Sequence, residues 1–330
     1  MNHRASGLRT DKAINGFMQH KAAEGCSTTT LISYAQHLKA WGKYAGEIDI
    51  DAIAASDLRA FLAWLRCDYK PRRFEGSDLP LSPKPLRNYW ITLSAFFRWA
   101  SAEFDLTTPM RSVPAPHFEE APVEPFTQTE VVVLLKACEF CQETKTVDRR
   151  RFTMRRRTAH CDRAIILKLL DTGLRASELC ALTIGDVDQK TGKVQIKHGQ
   201  RGGAKGGKGR LVFLGKAARR ALWRYLATRD EDENADSPLF VGKLNRPFNK
   251  NALRQLMARL GTKAQVANCH PHRFRHTFAI TYLRSGGDVF TLQTLLGHST
   301  LEMAQHYARI AQIDIEQAHR RASPADNWRL

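Results

Sequence analysis

The decapeptide HPHRFRHTFA, residues 270–279, sets His272, Arg273, Arg275 and His276 within five positions. Guanidinium groups are almost never buried without partners, so this stretch is expected at a surface that meets an anion. A metal cage is excluded, because the fixed positive charge beside the imidazoles repels a cation. Upstream, DTGLRASEL carries Arg175; downstream, LLGHSTLEMAQHYARI carries His298 and, nine residues on, Tyr307. Between them, GQRGGAKGGKGR offers Lys205 and Lys208.

Two arginines, a lysine, two histidines and a tyrosine suit the transfer of a phosphodiester to a tyrosine hydroxyl. Phosphoryl transfer asks mainly for positioning and for neutralisation of charge on the non-bridging oxygens. Arg175 and Arg275 can each grip those oxygens with a planar fork that lysine does not imitate. Tyr307 is the expected nucleophile. A phenol with a pKa of about 10 needs a base or a cationic field, and His272 is the expected base. Lys205, or Lys208 beside it, can protonate the departing sugar oxygen. His298 is expected to hydrogen-bond a phosphate oxygen. No metal or other cofactor is expected, since the arginines neutralise the charge.

Competing motifs fail on their own chemistry. GGAKGGK imitates a phosphate-binding loop, but Gly209 stands where the Mg²⁺-binding Ser/Thr belongs, and a strand follows rather than a helix. His272 and His276 are spaced like a zinc-protease pair, but no glutamate lies between them, so His276 reads as structural. Cys138 and Cys141 form a CxxC with His160 and Cys161 further on, yet these four would straddle an arginine-heavy loop. Cys138 is expected to face a helix interior.

The elements that must position these residues read as two domains and a linker. Residues 1–106 read as a four-helix bundle. One helix lies near Asp11–Ala23, and a second is capped by Ser27 with Leu31, Tyr34, Leu38 and Trp41 at helical spacing. A third starts at Ser56 with Leu58, Phe61, Leu62 and Leu65. The fourth runs from about Leu86 to Phe104 on Tyr89, Leu93, Phe96, Phe97 and Ala100. Residues 107–126 carry five prolines and no periodicity, as a linker does. Thr127 and Glu130 form a capping box that opens a domain over 127–330. There Gly173 suits a helix C-cap, and VQIK with RLVFLG forms a β-hairpin around the lysine turn. Gly297 and His298 end a helix and Ser299 caps the next. Ile310, Ile313 and Ile315 mark a short tail helix.

In this order and spacing the motifs resemble those of the tyrosine recombinases of the phage-integrase/Xer type: TGLRASEL, the lysine turn, HPHRFRHTFA against the family form HxLRH, and LLGHSTLEMAQHY. Phe274 stands where leucine is usual, and the lysine turn is longer and richer in glycine than the common form. The resemblance implies a mainly α fold, with an N-terminal SAM-like core-binding domain and a mainly helical catalytic domain holding a small antiparallel β-sheet. It carries the activating roles onto Arg175, Lys205, His272, Arg275 and His298, and the nucleophile onto Tyr307. It further implies a 3′-phosphotyrosyl link, a freed 5′-hydroxyl and strand exchange through a Holliday junction. The partners it implies are double-stranded DNA with an inverted-repeat core site and a homotetramer on that DNA, with the tail docked on a neighbouring protomer. Integration or excision of a mobile element is the expected task. A type IB topoisomerase and a non-catalytic DNA-binding protein on the same scaffold stay open.

Composition agrees with a polyanion partner. The 330 residues carry 51 Lys+Arg against 33 Asp+Glu, a formal net charge of +18, which favours nucleic acid. Expected phosphate contacts are Arg72, Arg73, Lys84 and Arg87 on the bundle, and Lys208 and Arg210 at the hairpin. Arg149, Arg150, Arg151, Arg155, Arg156 and Arg157 join them, since six arginines in nine residues repel one another without an anion. Affinity built on such contacts falls steeply with salt. No apolar run reaches a membrane span of about 18 residues, and the N-terminus lacks an apolar signal segment. A cytoplasmic protein with its seven cysteines reduced is expected.

Overall fold

The structure is a computed structural model that describes residues 7–71, 79–118, 124–140, 144–146, 149–152, 154–197, 209–229, 234–242, 245–298, 300–311, 319 and 323–327. It is mainly helical, with two small antiparallel sheets, and divides into two units, Met1–Ala121 and Pro122–Leu330. No helix among the described residues is long and apolar enough to cross a membrane.

The first unit is a bundle of α1 (Thr10–Ala23), α2 (Thr28–Ala45), α3 (Ala55–Cys67) and α4 (Pro83–Phe104). Ser27 caps α2, its hydroxyl accepting from the Thr30 N–H at 3.2 Å. Helix α3 starts at Ala55 rather than Ser56, because the Asp57 carboxylate turns back to accept the Ala54 N–H at 2.9 Å. The expected stripes meet in one aromatic core of Phe17, Leu38, Trp41, Phe61, Phe96 and Phe97, all buried. The proline-rich segment is less free than its composition implies. Thr108 caps a 3-10 turn at Pro109–Ser112, Met110 and Val113 are buried in the bundle core, and Trp90 Nε1 donates to the Val113 carbonyl at 3.0 Å.

The second unit opens at α5 (Gln128–Glu139), where Thr127 and Glu130 form the reciprocal capping box at 2.8 and 3.1 Å. A short hairpin follows, β1 (Thr144–Thr146) against β2 (Arg149–Phe152), so half of the arginine-rich stretch is strand rather than loop. Helix α6 (Ala159–Thr172) packs on both α8 (Lys216–Leu226) and α10 (Pro271–Arg284). It stops at Gly173 with φ +60°, where a Cβ would lie 2.6 Å from Phe278 and 2.8 Å from Leu296. Glycine is therefore required by conformation and by space. Helix α7 (Ala176–Ala181) follows at once. Strands β3 (Lys193–Ile196) and β4 (Arg210–Phe213) pair antiparallel, Val194 opposite Val212 facing the core. Helices α9 (Lys250–Ala264), α11 (Val289–Leu296) and α12 (Leu301–Ala311) follow, with a last short helix at Pro324–Asn327. Among the buried polar groups of this unit, Lys168 of α6 is 1 % exposed, its ammonium has no hydrogen-bond partner among the described residues, and burial pushes its pKa down to about 7.

Candidate strand-transfer site

Four of the expected catalytic side chains converge where α6, α10, α11 and α12 end or cross. Arg175 is the N-cap of α7 and leaves the helix axis because Gly173 has just reversed the chain. Its Nη1 donates to Glu178 Oε1 at 3.0 Å and Nη2 to the Gly297 carbonyl at 3.3 Å. With 30 % of its side chain exposed, it keeps a face toward solvent. Arg275 lies within α10, 3 % exposed, and donates to the Gly173 carbonyl at 2.9 Å and the Leu296 carbonyl at 2.8 Å. Burial, with Arg175 next, pulls its pKa down to about 10, so the guanidinium stays charged at neutral pH.

His298 follows Gly297, whose φ of +63° ends α11 and turns the ring inward. The imidazole stacks on Tyr307 of α12, ring centroids 5.9 Å apart and planes within 11°. Its Nδ1 is buried without a hydrogen-bond partner among the described residues, the kind of orphan that a phosphate oxygen satisfies. Burial, then Arg275, Arg175 and Arg210, lowers its pKa to about 4, so the ring is neutral at pH 7. Tyr307 is 5 % exposed. Burial raises the phenol pKa, while the charge and hydrogen bond of Arg275, and the charge of Arg175, work against that rise. The two guanidinium groups thus oppose the effect of burial on the phenol, whose pKa stays above its ordinary value.

His272 is exposed at the start of α10, its ring 4.3 Å from that of His276. His276, read from sequence as structural, also contacts the Tyr307 ring at 5.3 Å. Lys205 and Lys208 lie outside the described residues, as do Arg72 and Arg73, the side chains of Arg149, Arg150 and Arg151, and the Ser299 cap. Lys84 and Arg87 are exposed on the first turns of α4, and Arg155 and Arg157 are exposed before α6.

Three arginines depart from expectation. Arg273 belongs to the core: its Nη2 donates to Glu130 at 3.0 Å, Nη1 to the Ala267 carbonyl at 2.8 Å, and its guanidinium lies 4.0 Å from the Phe126 ring centroid. Arg156 is held 2.7 Å from buried Asp162 and is no free phosphate ligand. Arg210, expected on DNA, is 7 % exposed and grips both oxygens of Glu178 at 3.0 and 2.7 Å. Each obeys the same rule: a charge taken out of water must find an opposite charge or several dipoles.

Glu178 is the site residue that the search for phosphate chemistry missed. Its side chain is 0 % exposed. Burial works to raise its pKa, but Arg210, with Arg175 and the Arg175 N–H, holds it below the usual carboxylate value. The signal was available, since an acid three residues after Arg175 in an anion-binding motif demands cations of its own. Of the four residues set aside as a zinc set, Cys138 is buried in α5, where burial pushes its thiol up to about 12, and Cys141 lies outside the described residues.

Two family models match the chain: "Phage integrase family" over residues 127–313, and "Phage integrase, N-terminal SAM-like domain" over residues 14–104. A tyrosine recombinase XerC from Corynebacterium efficiens is 35% identical over 163 residues, 49% of this chain and 51% of its own. The chain thus spans about half the length of the corynebacterial relatives it matches. A tyrosine recombinase XerC from Thermodesulfovibrio yellowstonii is 27% identical over 309 residues, 90% of this chain and 91% of its own. A solved XerH site-specific recombinase, bound to a palindromic difH substrate, shares the fold with a TM-score of 0.69 at 17% identity, over 99% of this chain and 100% of that one.

Proposed function

Because this chain belongs to the phage integrase family of tyrosine recombinases, we propose that it breaks and rejoins DNA at a specific site through Tyr307. The observation that carries this reading is the meeting of Arg175, Arg275 and His298 around the Tyr307 ring.

The phenolic oxygen of Tyr307 attacks a backbone phosphorus, its proton passing to His272, with His276 beside it. The phosphorus–O5′ bond breaks, and Lys205 or Lys208 protonates the leaving oxygen. The product is a 3′-phosphotyrosyl ester and a free 5′-hydroxyl, and attack by another 5′-hydroxyl reverses the step. Bond energy is conserved in the ester, so rejoining needs no external energy source. Arg175 and Arg275 neutralise the non-bridging oxygens throughout, and neutral His298 hydrogen-bonds one of them. Exchange through a Holliday junction, a tetramer on an inverted-repeat site, and integration or excision of a mobile element are the finer parts of this proposal, which rest on the family.

Covalent capture tests it. The protein is mixed with fragmented DNA from its source and denatured in SDS, and the DNA ends that stay attached are sequenced beside a Tyr307→Phe control. The expected result is 3′ attachment at one recurring sequence, absent from the control. Capture scattered without sequence preference favours topoisomerase-like relaxation. Equal, negligible capture from both proteins, with DNA binding intact, leaves a non-catalytic binder.

A further inference from the structure

Arg210 holds three things at once. Its Nη1 and Nη2 take the two oxygens of Glu178 at 3.0 and 2.7 Å, and its Nε donates to the Leu295 carbonyl at 2.7 Å. Glu178 in turn accepts the Arg175 guanidinium at 3.0 Å and the Arg175 N–H at 2.9 Å. Leu295 lies in the last turn of α11, two residues before Gly297 and three before His298. A Cβ at Gly297 would sit 3.0 Å from Arg210 Nη1, so the turn is packed against the guanidinium. Finally, Arg210 is the first residue of β4, two positions past Lys208 and five past Lys205. One buried side chain therefore ties together the segments that carry Arg175, His298 and the lysine turn.

We propose that Arg210 is a positioning residue for strand transfer, acting through Glu178 on Arg175 and through Leu295 on the His298 turn, and touching no phosphate itself. This rests on the strand-transfer reading above. Without Arg210, the fully buried Glu178 carboxylate has Arg175 as its remaining ion-pair partner among the described residues, and draws that guanidinium off the scissile phosphate. Lysine is no substitute, because a point ammonium does not span two carboxylate oxygens and a carbonyl in one plane.

The test compares wild type, Arg210→Ala, Arg210→Lys and Tyr307→Phe on a nicked duplex carrying the captured site. The scissile linkage is either the ordinary phosphodiester or a methylphosphonate, in which one charged oxygen is replaced by methyl. Both Arg210 variants are expected to bind the duplex with unchanged affinity and salt slope. Their phosphotyrosyl formation should fall about 100-fold on the phosphodiester and less than 10-fold on the methylphosphonate, where Arg175 has little charge to neutralise. Arg210→Lys carries the same test should Arg210→Ala fail to fold. Wild-type rates in the variants, equal losses on both linkages, or failure of both variants to fold would each overturn the positioning role. No adduct from wild type overturns the strand-transfer reading, and this inference with it.

Discussion

At the scale of single residues, His298 ties chemistry to stability. Its folded pKa is lowered to about 4 from an ordinary 6.5, first by burial and then by the surrounding arginines. Below the ordinary value the unfolded chain binds a proton that the folded chain refuses. Stability from this residue is therefore intact above pH 6.5 and is lost as pH falls toward 4, by roughly 3 kcal/mol in full. His298→Gln, which keeps a neutral polar group, should flatten that part of the acid limb in urea titrations at pH 7 and pH 4.5. An unchanged acid limb would show that the imidazole protonates as easily folded as unfolded. The sequence led to Arg175, Arg275, His298 and Tyr307 as one group because phosphoryl transfer asks for those residue types and their order resembles the phage-integrase motifs, and the four side chains do converge. Arg210 and Arg273 were not, because a buried arginine and a phosphate-seeking one look alike until the partner is known. Glu130 lies 143 residues from Arg273, and Glu178 lies 32 from Arg210.

At the scale of elements, α6 carries a charge its packing does not need. Lys168 is surrounded by the apolar second core, with Asp186 and Asp171 offsetting part of its burial. A lysine whose folded pKa is depressed destabilises the fold below that pKa and is relieved as pH rises toward its ordinary 10.5. Lys168→Met fills a similar volume without charge, and Asp186 keeps Lys197 at 2.7 Å. The substitution should raise unfolding free energy by roughly 1–3 kcal/mol at pH 6–7, with a smaller gain near pH 10, read by denaturant titration. No gain at pH 6–7 would mean that water or the aspartates already satisfy the ammonium. Helical spacing made the apolar stripes of α2, α3 and α4 visible, since each puts bulky groups on one face. The start of α3 was misread because a serine is the usual cap, whereas here the Asp57 carboxylate binds the Ala54 N–H.

At the scale of the whole molecule, charge and core follow different maps. The net charge of +18 belongs to the chain as a whole, yet Arg156, Arg210 and Arg273 are spent inside the second unit on carboxylates and carbonyls. Counting basic residues thus overstates the surface available to phosphate. The prolines and the capping box set the expected start of the second domain at residue 127, whereas the chain divides between Ala121 and Pro122. Residues 124–126 precede the first helix of the second unit and are still tied to it, with Phe126 buried. The carbonyls of Glu124 and Pro125 accept from Arg273 at 3.0 and 3.5 Å, the Phe126 ring lies under the same guanidinium, and the Phe126 N–H donates to Thr277 Oγ1 at 2.8 Å. Anyone dividing the gene to produce this half alone should cut before residue 124. A fragment of residues 122–330 is expected to melt several degrees above one of residues 127–330, which starts where the helix does and strands Arg273 beside an open seam.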